Sequence, residues 1–261
     1  PEEKLLADIW ADVLKIPQVS IHDNFFEVGG DSIISIQVIS RANQAGLQLT
    51  PRQLFQHQTI AELALVVNTT ATLSCQAEQG LVTGSVPLTP IQHWFFEQKL
   101  PEAHHYNQSI LLEVSPKLQP EQLEVIIAQL LQHHDALRLR FLDNNQQQVS
   151  TENCSLNTDQ GSLITVKDLS DRTVTEQSAM VESIAAELQA SLNLTEGPLL
   201  RVALFQLGNQ QTNRLFFAIH HLAIDGVSWR IFLEDFASAW QQLHRGETIT
   251  LPPKTTSFQQ W

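Results

Sequence analysis

The stretch at 69–86, Thr-Thr-Ala-Thr-Leu-Ser-Cys-Gln-Ala-Glu-Gln-Gly-Leu-Val-Thr-Gly-Ser-Val, sustains neither a helical nor a strand period and is rich in Thr, Ser and Gly. It reads as a linker, and it divides the chain of 261 residues into two parts with different patterning. Before it, Leu5, Leu6, Ile9, Trp10 and Val13 fall on one stripe of a helix over 2–14 that Pro17 ends. A second helix is expected from Asp31-Ser32 through Ile33, Ile36, Val38 and Ile39 to a glycine stop at Gly46. Thr50-Pro51 opens a short helix. Thr59 caps a last one carrying Ile60, Leu63, Ala64 and Val67, with Glu62 placed for a capping box. Residues 1–68 are therefore expected to form a small four-helix bundle, three main helices and one short, of a size that can fold alone.

After Pro87 helices and strands alternate. Helices are expected at 90–99, 120–133, 175–192 and 227–243, the last with Val227, Ile231, Phe236, Trp240 and Leu243 inward. Strands are expected at 108–114, 137–142, 199–207 and 214–220. The order predicts an α/β two-layer domain over 87–261. Thr256-Ser257-Phe258-Gln259-Gln260-Trp261 reads as a capped helix stopping after one turn, so this domain is expected to be incomplete.

Charge narrows the function. The net charge is -13, from 15 basic and 28 acidic residues. That argues against a nucleic-acid binder, which needs a basic face to displace counterions, and against docking on anionic membrane lipid. No apolar run approaches the roughly 18 residues needed to span a bilayer. Cys75 and Cys154 lie far apart and form no CxxC, which fits a reducing cytoplasmic setting better than a disulfide framework or a Cys-rich zinc site.

Two constellations carry chemistry. In Gly29-Gly30-Asp31-Ser32 the glycines allow a tight turn and leave a serine at a helix start. Taken alone it reads as a capped loop-to-helix junction, or as a hydroxyl set where a helix N-terminus would favour an attached phosphodiester. The second is His220-His221-Leu222-Ala223-Ile224-Asp225-Gly226, directly after the apolar run Leu215-Phe216-Phe217-Ala218-Ile219. In an extended segment successive side chains point to opposite faces, so one histidine can pack inside while its neighbour faces a cavity. An imidazole there can move protons near neutrality, and Asp225 is the natural orienter, through a salt bridge or backbone bonds. Pairing by itself discriminates nothing, because His104-His105 and His133-His134 occur too. His133-His134-Asp135 reads as a helix end, and a metal site is not expected, since no helical i, i+4 histidine pair is present.

The run from Asp23 through Asn24-Phe25-Phe26-Glu27-Val28-Gly29-Gly30-Asp31-Ser32 to Ile33 resembles the peptidyl-carrier (thiolation) domain of nonribosomal peptide synthetases. The resemblance implies a 4'-phosphopantetheine arm on Ser32, installed by a phosphopantetheinyl transferase and holding an aminoacyl or peptidyl thioester. Asp31 before the serine resembles the variant that feeds an epimerization domain. His220 to Gly226 resembles the HHxxxDG signature of the condensation superfamily, whose fold is like chloramphenicol acetyltransferase. Gly226-Val227-Ser228-Trp229-Arg230, the stretch Pro90 to Phe96, His105-Tyr106-Asn107-Gln108-Ser109, and His133 to Phe141 resemble epimerization domains in particular. This implies an isomerase that inverts the α-carbon of a carrier-bound residue, with His221 as acid/base or enolate-stabilising residue, His220 supporting and Asp225 holding the loop against Arg138 or Arg140; the alternatives are a condensation domain forming peptide bonds and a non-catalytic carrier and docking fragment. It further implies a second lobe supplying a glutamate, an upstream adenylation domain and a downstream condensation domain.

Overall fold

The computed structural model describes residues 2–67, 77–142, 146–149, 156–158, 161–208 and 211–260. Cys75 and Cys154 lie outside them. The chain divides into two compact units, Pro1–Gln76 and Ala77–Trp261.

Among the described residues of the first unit there are four helices: α1 (Glu2–Leu14), α2 (Ser32–Gln44), α3 (Pro51–Gln56) and α4 (Ile60–Val66). Leu6, Trp10 and Val13, spaced four and three apart, form the buried stripe of α1. They pack with Phe25, Val38, Leu54, Ile60 and Leu63, and the Trp10 and Phe25 rings meet edge to face at 4.9 Å. Each later helix starts on a side-chain cap. Asp31 accepts from Ile33 and Ile34 N–H, Thr50 closes a capping box with Gln53, and Thr59 accepts from Glu62 N–H.

The second unit is built on a four-stranded sheet in the order β2-β9-β8-β7, where β2 is Asn107–Val114, β7 Ile164–Asp168, β8 Leu200–Gln206 and β9 Asn213–His220. The β7–β8 pairing is parallel and the others antiparallel. Helices α6 (Pro120–His133) and α8 (Gly226–His244) lie on one face. Their Leu123, Ile126, Ile127, Leu130, Phe232 and Phe236 share a core with Val202, Leu204, Leu215, Phe217 and Ile219. On the other face α7 (Val174–Ala190) covers Ala203, Phe205, Phe216 and Ala218. The unit thus has three layers, which corrects the two-layer expectation. The physical reason is in β8 and β9, whose unbroken apolar runs have no polar face and demand cover on both sides.

A smaller sheet joins β1 (Gly84–Val86), β4 (Gln146–Val149) and β3 (Leu139–Leu142) in the order β1-β4-β3. The two-residue strands β5 (Asn157–Thr158) and β6 (Gly161–Ser162) pair with each other. Helix α5 (Pro90–Glu97) and a 3-10 turn at Ala103–His105 precede β2. Residues 77–86, expected as linker, are bonded into this unit. Val82 is buried with its carbonyl accepting from Arg138, Gln79 bonds the Lys254 backbone, and β1 pairs with β4. Residues 69–76 lie outside the described part.

Two further expectations are corrected. Ile231 is exposed; the buried positions of α8 are Trp229, Phe232, Asp235, Phe236 and Ala239. Residues 257–260 form a turn rather than a helix, with Gln260 N–H donating to Ser257. Among the described residues, no helix is long and apolar enough to cross a membrane.

Candidate functional sites

In the first unit, Ser32 is the first residue of α2 and is exposed. No described group bonds its hydroxyl; its carbonyl accepts from Ser35 Oγ at 2.7 Å. The approach is set by the glycines. Gly29 has φ +104°, and nothing lies within 4 Å of a Cβ built there. Gly30 donates to Phe25 O at 2.8 Å, and a Cβ on it would meet that oxygen at 2.5 Å and the Phe25 ring at 2.6 Å. The loop is therefore pinned to the core at Gly30 while the serine stands open. A bulky group joined through a phosphodiester to this hydroxyl fits. The expectation that it would rest on free helix N–H groups needs correction, because Asp31 already takes those of Ile33 and Ile34 at 2.8 and 2.6 Å.

In the second unit, His220 ends β9 and is fully buried. Its Nδ1 accepts from Leu222 N–H at 3.1 Å, so Nε2 bears the proton and donates to Ala103 O at 2.9 Å. Burial pushes its pKa down from 6.5 to about 4, against the opposing bond to Ala103. His220 is a neutral pin between β9 and the 3-10 turn.

His221 follows in the opposite direction and is half-buried. Its N–H donates to Tyr106 O at 2.9 Å, and its ring stacks on Tyr106 with centroids 5.2 Å apart. Ring Nδ1 lies 2.8 Å from Ile224 O, which can only accept. The Nδ1 proton is thereby placed, and Nε2 is left with its lone pair. The Gln108 amide lies 3.2 Å from Nε2, and the same amide meets Trp229 Nε1 at 2.9 Å. Tyr106, Gln108 and Trp229 sit inside stretches that resemble epimerization domains, but pairing from β2 to α8 is invisible until the strands are registered.

Asp225 is the N-cap of α8. One carboxylate oxygen accepts from Val227 N–H, Ser228 N–H and the Ser228 hydroxyl at 3.1, 2.8 and 2.7 Å. Burial works to raise its pKa, but the Ser228 and Val227 bonds outweigh it and hold the carboxyl below the usual carboxylate range. Of the two ways expected for Asp225 to hold the loop, backbone bonds are present and pairing with Arg138 or Arg140 is not. Arg138 is buried on Asp135 at 2.7 Å, with Lys254 3.2 Å from the same oxygen, and Arg140 donates to Glu196 O. Asp225 holds the loop through the helix start instead.

Among the described residues, one group could hold a metal ion: His133, His134 and Asp235, whose ligand atoms lie within 4.8 Å of one another. The buried Asp235 carboxylate lies 2.9 Å from His134 Nε2, a contact that joins α8 to the end of α6 without an ion.

Residues 82–261 match the condensation-domain family. The chain belongs to that family. Residues 4–67 match the phosphopantetheine attachment site family, whose members carry 4'-phosphopantetheine covalently. This pairing is that of a nonribosomal peptide synthetase. A linear gramicidin synthase polypeptide of Brevibacillus parabrevis is 52% identical over 261 residues, which take in 99% of this chain and 5% of that protein. The crystal structure of the epimerization domain from the third module of tyrocidine synthetase B is 36% identical with a TM-score of 0.64, covering 72% of this chain and 40% of that one. A mutant of the starter condensation domain of rhizomide synthetase shares the fold at 24% identity and a TM-score of 0.54, covering 65% and 41%. The chain therefore spans a small part of the gramicidin synthase relative and under half of either solved domain.

Proposed function

We propose that this chain serves epimerization: a residue held by the first unit is inverted at its α-carbon in the second. The carrying observation is His221, an imidazole whose Nδ1 proton is fixed on Ile224 O while Nε2 keeps its lone pair, 3.2 Å from the Gln108 amide. Greater identity to the solved epimerization domain than to the condensation domain, 36% against 24%, supports this reading over peptide-bond formation.

Ser32 is the proposed attachment point for 4'-phosphopantetheine. When bound, that group supplies a thiol that holds an aminoacyl or peptidyl cargo as a thioester. The chain's own residues do the rest. Ser32 anchors, and Gly29 leaves it accessible to a phosphopantetheinyl transferase. His221 Nε2 takes or returns a proton at the α-carbon; a positioned acid/base of this kind contributes roughly 10²–10⁴-fold. His220 and Asp225 hold the β9–α8 loop, one as a buried neutral ring and the other as a helix cap. On this reading the second unit is one lobe of a chloramphenicol-acetyltransferase-like fold. An upstream adenylation domain selects the cargo, and a downstream condensation domain takes the product.

The test is chirality. A synthetase carrying this segment, loaded on Ser32 with an L-aminoacyl group and then hydrolysed, is expected to release a mixture containing the D form. Product that stays entirely L while amide forms with a downstream acceptor overturns the proposal.

A further inference from the structure

Gln108 and Trp229 are 121 residues apart in sequence, and neither is part of HHxxxDG, yet they end on the ring nitrogen that the proposed reaction uses. The donor and acceptor types along this line leave one solution. An indole Nε1 can only donate, so the Gln108 atom 2.9 Å from it is Oε1. The other end of the amide is then the NH2 group, which can only donate, and it lies 3.2 Å from His221 Nε2. That nitrogen must accept. At the far side of the ring, Ile224 O can only accept and lies 2.8 Å from Nδ1, which must donate. Both ends of the line require the same tautomer, and neither requirement uses the other.

We propose that Gln108 is a positioning residue for His221, and that Trp229 sets the orientation of Gln108. Trp229 is buried on α8, while Gln108 sits on β2, two residues after the Tyr106 whose ring stacks on His221. Trp229 N–H holds the amide oxygen, so the amide cannot turn over without orphaning a buried donor. The amide NH2 then faces Nε2 and disfavours a proton there. The ring at rest is thereby kept as an acceptor, with Tyr106 fixing its plane and Ile224 O its other nitrogen. Protonated at Nε2, the ring would meet the Gln108 NH2, a donor it cannot bond, which favours giving the proton up again. The relay links the stretch around Tyr106–Gln108 to the stretch around Trp229 through one amide, which gives both a shared physical task.

The inference rests on His221 as the proton-transfer residue only in its activity arm; the spectral arm reads the ring without turnover. Nitrogen-15 histidine spectra of the chain, at about pH 8 where an ordinary imidazole is neutral, should show His221 with Nδ1 protonated and Nε2 bearing a lone pair. Gln108→Glu keeps the shape and an acceptor for Trp229 but removes the donor, and should move the His221 ring toward a proton on Nε2 relative to the parent under the same conditions. Trp229→Phe should shift or broaden the Nε2 signal. In the activity arm, Gln108→Met has similar bulk but no matching donor, and should lower kcat for α-proton exchange by about 10- to 100-fold with KM within about twofold. A parent ring protonated on Nε2, or a Gln108→Glu ring unchanged from the parent, overturns the relay. Parent-like kcat in Gln108→Met shows a space-filling role and overturns it as well.

Discussion

Acid should destabilise the second unit through His220. The ring is fully buried, donates to Ala103 O and accepts from Leu222 N–H, so it folds neutral. Its pKa falls from 6.5 in the free side chain to about 4 in the fold. Below pH 6.5 the unfolded chain takes a proton that the folded chain refuses, so stability is whole above that pH and is lost as pH falls toward 4. One pKa unit corresponds to about 1.4 kcal/mol; the loss works out to about 2 kcal/mol by pH 5 and about 3 kcal/mol once both states are protonated. Hydrogen exchange of the β8 and β9 amides, corrected for intrinsic rates, reads the opening of this unit. His220→Gln keeps a donor toward Ala103 O and never charges. Its opening free energy should start lower at neutral pH and then fall less between pH 7.5 and 5, by about the same 2 kcal/mol. Parallel pH curves for the two proteins would refute the burial argument.

Other outcomes follow from the same geometry. Ser32→Ala should abolish the mass added by a pantetheinyl transferase with coenzyme A, and mass appearing on another hydroxyl would contradict the assignment. Gly30→Ala drives a Cβ to 2.5 Å from Phe25 O and should destabilise the first unit by on the order of 1–3 kcal/mol in urea unfolding. Asp225→Ala strips three hydrogen bonds from the start of α8 and should cost about 1–2 kcal/mol. That loss should shrink in acid as the parent carboxyl, held low by Ser228 and Val227, becomes protonated.

Helix starts are legible in the sequence because capping is local. Asp31, Thr50 and Thr59 each bond a backbone N–H two or three residues on, and all are visible as polar residues ahead of apolar periods. The split placement of His220 and His221 is legible too, one buried and one half-buried, since strand alternation forces them apart. Layering is harder to read, because recognising β8 and β9 as strands does not reveal what covers an apolar run on its second face. Asp225 too bonds locally, to Val227 and Ser228; what is hidden is that Arg138 is already engaged. Asp135 stands only three residues before it, but Val82 O and Lys254 reach the pair from distant parts of the chain, so Arg138 looks available. The Gln108–Trp229 contact depends on the β2–β9 register, in which Asn107 faces His220, and on the entry of α8. No local signal carries that information.

Cargo tethered to Ser32 should exchange its α-hydrogen at His221. Solvent deuterium wash-in, followed by mass spectrometry of the hydrolysed cargo from a loaded synthetase bearing this segment, measures it directly. The parent should gain one deuteron. His221→Ala should gain almost none while still accepting the pantetheinyl group. Wash-in at the parent rate in that variant would contradict the central claim.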